Sequence, residues 1–292
     1  MLPEIKSFIG CESSFEEAAA VIFGAPYDCT ASYRPGARFA PSAIRNESYG
    51  IETYSHYQDK DLSDISVFDS GDIELPFGDP VPVIEAIRER TAEILAADKL
   101  PVMLGGEHLV TLGAFKAVCE HFADKYGSDV YVIQFDAHCD LRRDYLGQQL
   151  SHASVMRLCH DIAGDGHIYQ FGIRSGERSE FEFAKKHTKM YPAAVSGVSF
   201  EKLPEAIEEL RGKNVYLTID TDVLDPAFFP GTGTPEAGGA DFGQLLSAII
   251  MIGKELNIVG ADINELSPPC DQSGASTALV CKLTRELLLA LL

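Results

Sequence analysis

Short runs of apolar residues recur along the chain, separated by segments that contain polar residues, glycine or proline. The runs are rich in Val and Ile and are apolar at successive positions rather than at alternate ones. This pattern is typical of strands that are buried on both faces of a parallel sheet. The predicted strands are Ala19–Phe23, Ile65–Phe68, Pro101–Leu104, Val130–Phe135, His167–Phe171, Val215–Ile219 and Asn257–Ala261.

Segments with helical spacing lie between these strands. The alternation predicts an α/β fold of three layers, with a mostly parallel central sheet of about eight strands between helices. We expect one domain over residues 1–292, and another subunit to cover part of the strongly apolar last helix. Glycines and prolines cluster in Pro226–Gly239, which indicates one long functional or covering loop. The predicted helices are Val83–Ala97, Leu112–Tyr126, Leu203–Leu210 and Thr277–Leu292.

Composition narrows the classes of partner. The formal net charge of −20 argues against nucleic acid and anionic membranes, and it suits a cationic substrate. The seven cysteines form no CxxC pair, which favours a reducing compartment over a disulfide framework. The N-terminal residues MLPEIKSFIGCESSFEEAA lack the pattern of a secretory signal, and no apolar stretch approaches the ~20 residues that span a bilayer. We therefore expect a cytoplasmic protein.

Acidic and histidine residues follow four of the predicted strands at the point where each strand ends. In open α/β sheets, ligands bind at the carboxyl ends of the strands. In the spacing D-x-H-x-D, alternate side chains face one side of an extended backbone, and D-x-D does the same. The residues concerned are His108, the group Asp136, His138 and Asp140, the pair Asp220 and Asp222, and Asp262 with Glu265.

Aspartates that converge at one rim repel one another and cost several kcal/mol each when they are withdrawn from water without a partner. Two divalent cations resolve this conflict, since four carboxylates balance the charge of two M²⁺ ions. Mixed carboxylate and imidazole ligation suits Mn²⁺, with Fe²⁺, Co²⁺ and Zn²⁺ as alternatives. A two-metal site turns a bridging water into hydroxide near neutral pH, which indicates a hydrolase. The predicted ligands are His108, Asp136, His138, Asp140, Asp220 and Asp222.

Each of these residues alone has a simpler interpretation, because an aspartate after a strand is usually a helix cap or a turn residue. The set of six is much harder to explain in that way. Cys139 lies inside the motif, and we interpret it as a packing residue. The remaining histidines lack partners at ligand spacing and are expected at the surface or on helices; they are His56, His121, His160, His167 and His187.

At these motifs the sequence resembles the ureohydrolase family, which includes arginase and agmatinase. The resemblance spans nearly the whole chain, and the motifs are specific for the family but not for its substrates. The matching segments are GAPYDCTASYRPGARFAPSAIR (Gly24–Arg45), GGEH (Gly105–His108), FDAHCD (Phe135–Asp140), SHAS (Ser151–Ser154), IDTDVLDPAFFPGTGTPEAGG (Ile219–Gly239) and DINELSPPCD (Asp262–Asp271).

The resemblance implies a binuclear manganese hydrolase that cleaves a guanidino C–N bond by attack of the metal-bridging hydroxide. His108 and Asp140 would hold one ion and His138 and Asp222 the other, with Asp136 and Asp220 bridging them. It also implies that His152 relays a proton and that Glu265 anchors the guanidinium group, and Asp140 is counted with these catalytic residues. The simpler interpretation of His152 is a loop histidine without a role. The simpler interpretation of Glu265 is a residue that supports the metal ligands. Trimers or hexamers are the oligomers that the resemblance implies.

The loop Leu141–Ser154 resembles that of prokaryotic agmatinases, so the expected reaction is agmatine and water to putrescine and urea. Arg142 and Arg143 oppose this, because an inward arginine would bind a carboxylate. We expect both to be solvated or paired with Asp144. Arg34 has two open roles, one in the pocket and one in a subunit contact.

Several alternatives remain at this point. Another ureohydrolase would act on 4-guanidinobutyrate, arginine or N-formimidoyl-glutamate. Its site would need a group that binds the carboxylate of the substrate. A deacetylase-like relative with a single zinc would need fewer ligands than the six present. A non-catalytic metal-binding regulator would be expected to have degenerate ligands, and the six show no such degeneration.

Overall fold

Eight parallel strands form the central sheet of the computed structural model, which describes residues 7–292. The first six residues of the N-terminal segment lie outside the described residues. The strands in chain order are β1 Ala20–Ala25, β2 Tyr54–Ser55, β3 Lys60–Asp61, β4 Val67–Asp72, β5 Leu100–Gly105, β6 Val130–Phe135, β7 Ile168–Phe171, β8 Lys189–Tyr191, β9 Asn214–Asp220 and β10 Asn257–Asn264.

The order across the sheet is β4-β1-β5-β10-β9-β6-β7-β8, and each neighbouring pair is parallel. Strands β2 and β3 form a separate antiparallel hairpin. The predicted parallel sheet is confirmed. Each of the seven predicted strands is present, and its ends lie at most a few residues from the predicted ones. Strand β8 and the hairpin were not predicted, because two or three residues are too few to show a pattern.

Helices cover both faces of this sheet, as predicted. Helices α1 and α6 to α8 pack on one face, and α2 to α5 pack on the other. The helices are α1 Ala40–Glu47, α2 Pro80–Ala96, α3 Thr111–Tyr126, α4 Val155–Ala163, α5 Arg178–His187, α6 Leu203–Leu210, α7 Phe242–Glu255 and α8 Ala275–Leu291.

Four of these helices, α1, α4, α5 and α7, were missed. The first three have at most ten residues, which is too short for a helical period to stand out. Helix α7 begins with a capping box between Asp241 and Gln244, but its middle is apolar at nearly every position and hides the period. By contrast, α3 ends at Tyr126 as predicted, and Gly127 caps it in the left-handed conformation, at φ 59°.

The strands are buried on both faces, which explains their continuous apolar sequences. Ile22 of β1 belongs to one core cluster, while its neighbours Val21 and Phe23 belong to the other. Strand β10 runs three residues beyond its predicted end, so Asp262 lies inside the sheet and not at its rim. There its carboxylate accepts a hydrogen bond of 2.6 Å from the Tyr216 hydroxyl. Asp262 is therefore a core residue, contrary to its predicted place with the rim acids.

The last helix, α8, is largely covered by its own chain, and its predicted contact with a second subunit stays a prediction. It packs against α1 and α7, and Leu283, Leu287 and Leu288 are fully buried. The hairpin side adds polar contacts, because Ser55 Oγ donates to Glu286 Oε2 over 2.7 Å. Among residues 7–292, none of the helices has both the length and the apolar character that crossing a membrane requires.

The centre of the sheet determines where chemistry can occur. Strands β5, β10, β9 and β6 are consecutive neighbours. The segments that leave their carboxyl ends therefore emerge side by side, although they are far apart in the sequence.

Candidate metal centre

The six predicted ligands lie together beyond the ends of β5, β6 and β9. His108 is at the centre of the first group. Its Nδ1 lies 2.9 Å from Asp140 Oδ2, 3.0 Å from Asp136 Oδ2 and 3.5 Å from Asp220 Oδ2. Three carboxylates thus surround one imidazole nitrogen, and all four side chains are buried.

A second group adjoins the first and shares Asp136 with it. His138 Nδ1 lies 2.9 Å from Asp222 Oδ2 and 3.7 Å from Asp136 Oδ1. Asp136 therefore directs one oxygen towards each histidine.

Two sets of ligand atoms have the spacing of metal sites. The atoms of His108, Asp136 and Asp140 lie within 4.8 Å of one another, and so do those of Asp136, His138 and Asp222. Asp220 belongs to neither set at that spacing, and its Oδ1 accepts from the Asp222 backbone N–H over 2.8 Å. The donor types fit divalent ions such as Mn²⁺, and the identity of the ligands stays a prediction.

Burial and crowding shift the pKa values of these carboxyl groups in different directions. Burial, followed by the charge of Asp136, raises the pKa of Asp140 to about 7. Burial and the charge of Asp222 raise the pKa of Asp220 well above its usual value. Burial would also raise the pKa of Asp136, but hydrogen bonds from His108 and His138 outweigh it and bring that pKa below its usual range. The arrangement is one that protons or cations must neutralise.

Burial alone would lower the pKa values of both imidazoles. The neighbouring carboxylates have the larger effect, so both pKa values are raised. Asp136 and Asp140 raise the pKa of His108, and Asp222 with Asp136 raises the pKa of His138. The carboxylates thus favour a positive charge at both imidazoles, which metal ions would supply when bound.

The local backbone is shaped around this site. Asp140 and Glu265 have positive φ, at 53° and 65°, in a left-handed region that costs non-glycine residues energy and that recurs at functional sites. The paired glycines of GGEH have a steric reason. A Cβ on Gly105 would collide with the Asn264 side chain, and one on Gly106 would collide with the Tyr27 backbone.

Glu265 lies beside the first group rather than free in solvent. Its Oε1 accepts a hydrogen bond of 2.7 Å from the His108 backbone N–H. Burial and then the nearby Glu107 carboxylate raise the pKa of Glu265. A cation in the cavity would favour its charged form, as the predicted contact with a guanidinium requires.

His152 sits in a small hydrogen-bonded chain at the edge of the cavity. Its Nδ1 is 3.3 Å from Thr30 Oγ1 and its Nε2 is 3.2 Å from Ser32 Oγ. Thr30 Oγ1 in turn donates to Glu107 Oε1 over 2.7 Å. Burial, then the positive charge of His138, lowers the pKa of His152 to about 4, while burial raises that of Glu107 to about 7. His152 is therefore neutral near pH 7 and able to accept a proton.

A cavity of about 270 Å³ opens above the site. The expectation that Arg142 is solvated or paired with Asp144 is wrong, since Arg142 lines this cavity. Its Nη1 lies 3.0 Å from Glu177 Oε1, its Nε lies 3.6 Å from Glu180 Oε2, and its guanidinium lies 4.4 Å from the Tyr145 ring centroid. The lining residues are Ser32, His108, His138, Cys139, Asp140, Arg142, Tyr145, His152, Ala153, Ser175, Gly176, Glu177, Glu180, Asp220, Thr234 and Glu265.

Arg143 is exposed and does not line the cavity. For Arg34 the structure shows a role within the chain. Its guanidinium donates to the carbonyls of Thr232 and Gly233 over 2.8 and 3.1 Å, which attaches the predicted loop Pro226–Gly239 to the segment that carries Thr30.

Sequence reasoning missed Arg174. Its Nη2 donates to the Asp222 and Glu236 carbonyls over 2.7 and 2.8 Å, and its Nε donates to the Ala237 carbonyl over 3.2 Å. It therefore links the long loop to the backbone of a predicted metal ligand. No motif marks it, because its partners are carbonyls that every residue has. Glu107 and Thr30 did lie within matched segments, and only the geometry connects them to His152.

Comparison with known proteins places this site in context. A sequence profile described as the arginase family matches residues 18–290. An agmatinase of Halalkalibacterium halodurans is 46% identical over 285 residues, which are 97% of this chain and 96% of that protein. A solved structure of a candidate agmatinase from Clostridium difficile has a TM-score of 0.89 and 48% identity, and covers 95% of this chain and 98% of the other. The agmatine ureohydrolase of Thermoplasma volcanium has a TM-score of 0.86 and 33% identity, with coverage of 99% and 95%.

Proposed function

The chain belongs to the arginase family, and from that premise we propose that it hydrolyses agmatine to putrescine and urea at a pair of divalent metal ions. It is an agmatinase-type ureohydrolase, as relatives at 44–46% identity over most of the chain support. The two adjoining groups of ligand atoms around Asp136 carry the proposal for two metal ions.

In this proposal His108 and Asp140 would hold one ion, His138 and Asp222 would hold the other, and Asp136 and Asp220 would contribute to both. We infer manganese, because the donor set is rich in carboxylates and contains no thiolate. When bound, such a pair supplies Lewis acidity and lowers the pKa of bound water.

His152 and Glu265 act on the substrate in this proposal. Glu265 fixes the guanidinium group by a charge-assisted hydrogen bond. His152, neutral near pH 7, would accept a proton from the attacking water and give it to the amine nitrogen that leaves when the C–N bond breaks. The hydrogen-bonded Thr30 and Glu107 hold the imidazole in place for this transfer.

The charge of the cavity favours agmatine over guanidino acids. Two M²⁺ ions offset the four aspartates, so the other charged lining residues decide the balance. These are the acids Glu177, Glu180 and Glu265 against the cation Arg142, which leaves two negative charges for a dicationic substrate. Because Arg142 is already paired with Glu177, a substrate carboxylate would have to displace that glutamate.

Urea release tests the proposal. Protein loaded with Mn²⁺ is incubated with agmatine, arginine and 4-guanidinobutyrate, and urea is measured for each. We expect agmatine to have the highest kcat/KM. Turnover of 4-guanidinobutyrate without turnover of agmatine would show that Arg142 binds a carboxylate and would refute the substrate assignment. Metal analysis that finds a single zinc per chain would refute the two-ion centre.

We also propose the cytoplasm as the location and a homo-oligomer as the assembly. All seven cysteines are free thiols, which supports a reducing compartment. Light scattering on the purified chain tests the assembly, and a monomeric mass would contradict it.

A further inference from the structure

A second cluster of metal-ligand side chains lies away from the cavity, where His160, Asp165 and His187 meet. His160 Nε2 is 2.8 Å and His187 Nδ1 is 2.7 Å from the same oxygen, Asp165 Oδ1. All three ligand atoms lie within 4.8 Å of one another. The expectation that His160 and His187 lack partners is therefore wrong, because the fold joins residues that the sequence separates.

Local structure holds the carboxylate in this position. Asp165 lies between Gly164 and Gly166, both with positive φ, at 89° and 75°, so the tight turn between α4 and β7 depends on glycine at both positions. The Gly166 backbone N–H donates to the His187 carbonyl over 2.8 Å, which ties the turn to the end of α5. His167 Nδ1 lies 3.0 Å from the Asp165 carbonyl and orients the same turn.

The two imidazoles are oriented by one aromatic ring. Phe183 stacks on His187, with ring centroids 4.4 Å apart, and meets His160 edge-on at 4.9 Å. The Arg157 guanidinium lies 3.9 Å from the Phe183 centroid, so the Phe183 ring is itself held in place. Rings that are fixed before binding lose little entropy when they coordinate an ion.

From this geometry we propose that His160, Asp165 and His187 form a second metal site, which binds a divalent transition ion of the zinc class. Two imidazoles and one carboxylate suit Zn²⁺, Cu²⁺ or Ni²⁺ better than Mn²⁺. Asp165 is 68% exposed, so water completes the coordination. Because the ligands come from α4, α5 and the turn before β7, the ion is a clip that joins these three elements.

The site is independent of the hydrolytic reaction. Asp165 precedes β7 and His187 precedes β8, so the cluster lies at the amino ends of these strands. The predicted catalytic residues follow the carboxyl ends of other strands, at the opposite edge of the sheet. The proposal therefore does not rest on the proposed function.

Zinc titration of the Mn²⁺-loaded full chain, without an affinity tag, tests the site. Calorimetry measures binding, elemental analysis after gel filtration measures zinc and manganese per chain, and a thermal scan measures Tm. The variants are His187→Gln and Asp165→Asn, which keep the side-chain size. The matched control is His121→Gln, a histidine on α3 outside the cluster.

We expect the wild type and the control to bind a single Zn²⁺ beyond the metals of the hydrolytic centre, with a rise in Tm of a few degrees. Both cluster variants should lose this binding and the Tm rise while they retain manganese and urea release. Equal zinc content in all four proteins would overturn the proposal. So would zinc uptake that occurs only as manganese is lost, since the ion would then occupy the hydrolytic centre.

Discussion

At the residue scale, the surroundings of His152 keep it neutral near pH 7 and fix its position, as its proposed role requires. It is largely buried, its pKa is lowered to about 4, and Thr30 and Ser32 contact its two ring nitrogens. None of these contacts involves a predicted metal ligand, so His152 can be replaced without disturbing the proposed pair of metal ions.

The variant His152→Asn should retain its manganese and lose about 10²-fold or more in kcat, because general acid–base catalysis contributes factors of this size. Steady-state urea assays and elemental analysis measure the two quantities. His56→Asn, on the exposed hairpin side, is the control. A kcat within twofold of the wild type would assign the proton transfer to another group.

Glu177 is the residue that we expect to exclude guanidino acids, because it pairs with Arg142 at 3.0 Å. Removal of its charge in Glu177→Gln would weaken the attraction for a dication and release Arg142. We expect the KM for agmatine to rise by roughly tenfold, as the loss of a charge-assisted contact implies.

The same variant should gain relative activity towards 4-guanidinobutyrate. The measurement is kcat/KM for both substrates, beside Glu201→Gln, an exposed glutamate outside the cavity. An unchanged ratio of the two values would mean that Arg142 and Glu177 do not select the substrate.

At the scale of elements, the loop Pro226–Gly239 contains no helix or strand, and side chains hold it together with isolated backbone contacts such as the bridge between Thr232 and Leu266. Arg174 is the main tie, with its donors directed at the carbonyls of Asp222, Glu236 and Ala237. Arg34 adds contacts to Thr232 and Gly233. The loop that passes the second group of predicted ligands thus depends on two arginines from distant segments.

Arg174→Gln should lower the free energy of unfolding by roughly 1–3 kcal/mol, because partly buried carbonyls would lose charged donors. We also expect weaker manganese retention at the group that contains Asp222. Urea denaturation and dialysis against chelator measure these effects. Arg211→Gln, whose side chain is 53% exposed, should change neither. An Arg174 variant as stable as the wild type would show that the loop does not need Arg174 to keep its conformation.

The predictability of the elements differs between strands and their connections. The central strands were predictable because burial on both faces leaves continuous apolar sequences. The clustering of the predicted ligands after β6 and β9 was predictable because these residues sit directly at strand ends. Asp262 was misplaced because an aspartate bonded to Tyr216 inside a sheet has the sequence appearance of a rim residue. The pairing of His160 with His187, like that of Arg142 with Glu177, depends on contacts between elements. The spacing of residues along the chain does not reveal such contacts.

At the scale of the whole molecule, the proposed metal centre implies that metal ions and protons compete for the same buried groups. Burial and Asp136 raise the pKa of Asp140 from 3.8 to about 7, and the pKa of His108 is also raised. The metal-free fold therefore binds protons that the unfolded chain has released. The stability that these protons confer is present at low pH and is lost as pH rises from about 4 to about 7.

Removal of the metals by chelator should thus cost more stability at pH 8 than at pH 5. The measurement is the difference in Tm between manganese-loaded and chelator-treated protein across this range. We expect the difference to widen as pH rises, because metal ions no longer compete with protons. A difference in Tm that is constant with pH would show that protonation of these groups is not coupled to metal binding. Asp220→Asn should reduce the difference at every pH, since it removes a predicted ligand.

The position of β10 in the sheet has a consequence for biosynthesis. This strand, Asn257–Asn264, is the last of the sheet to be translated, yet it lies between β5 and β9. The strands that position His108 and Asp220 therefore have a gap between them that only β10 fills, and β10 leaves the ribosome when the chain is nearly complete. Partial chains cannot close this gap, and long-range parallel pairing is intrinsically slow. We therefore expect the proposed metal centre to assemble after translation rather than during it, and prematurely terminated products to carry the D-x-H-x-D motif without an assembled site.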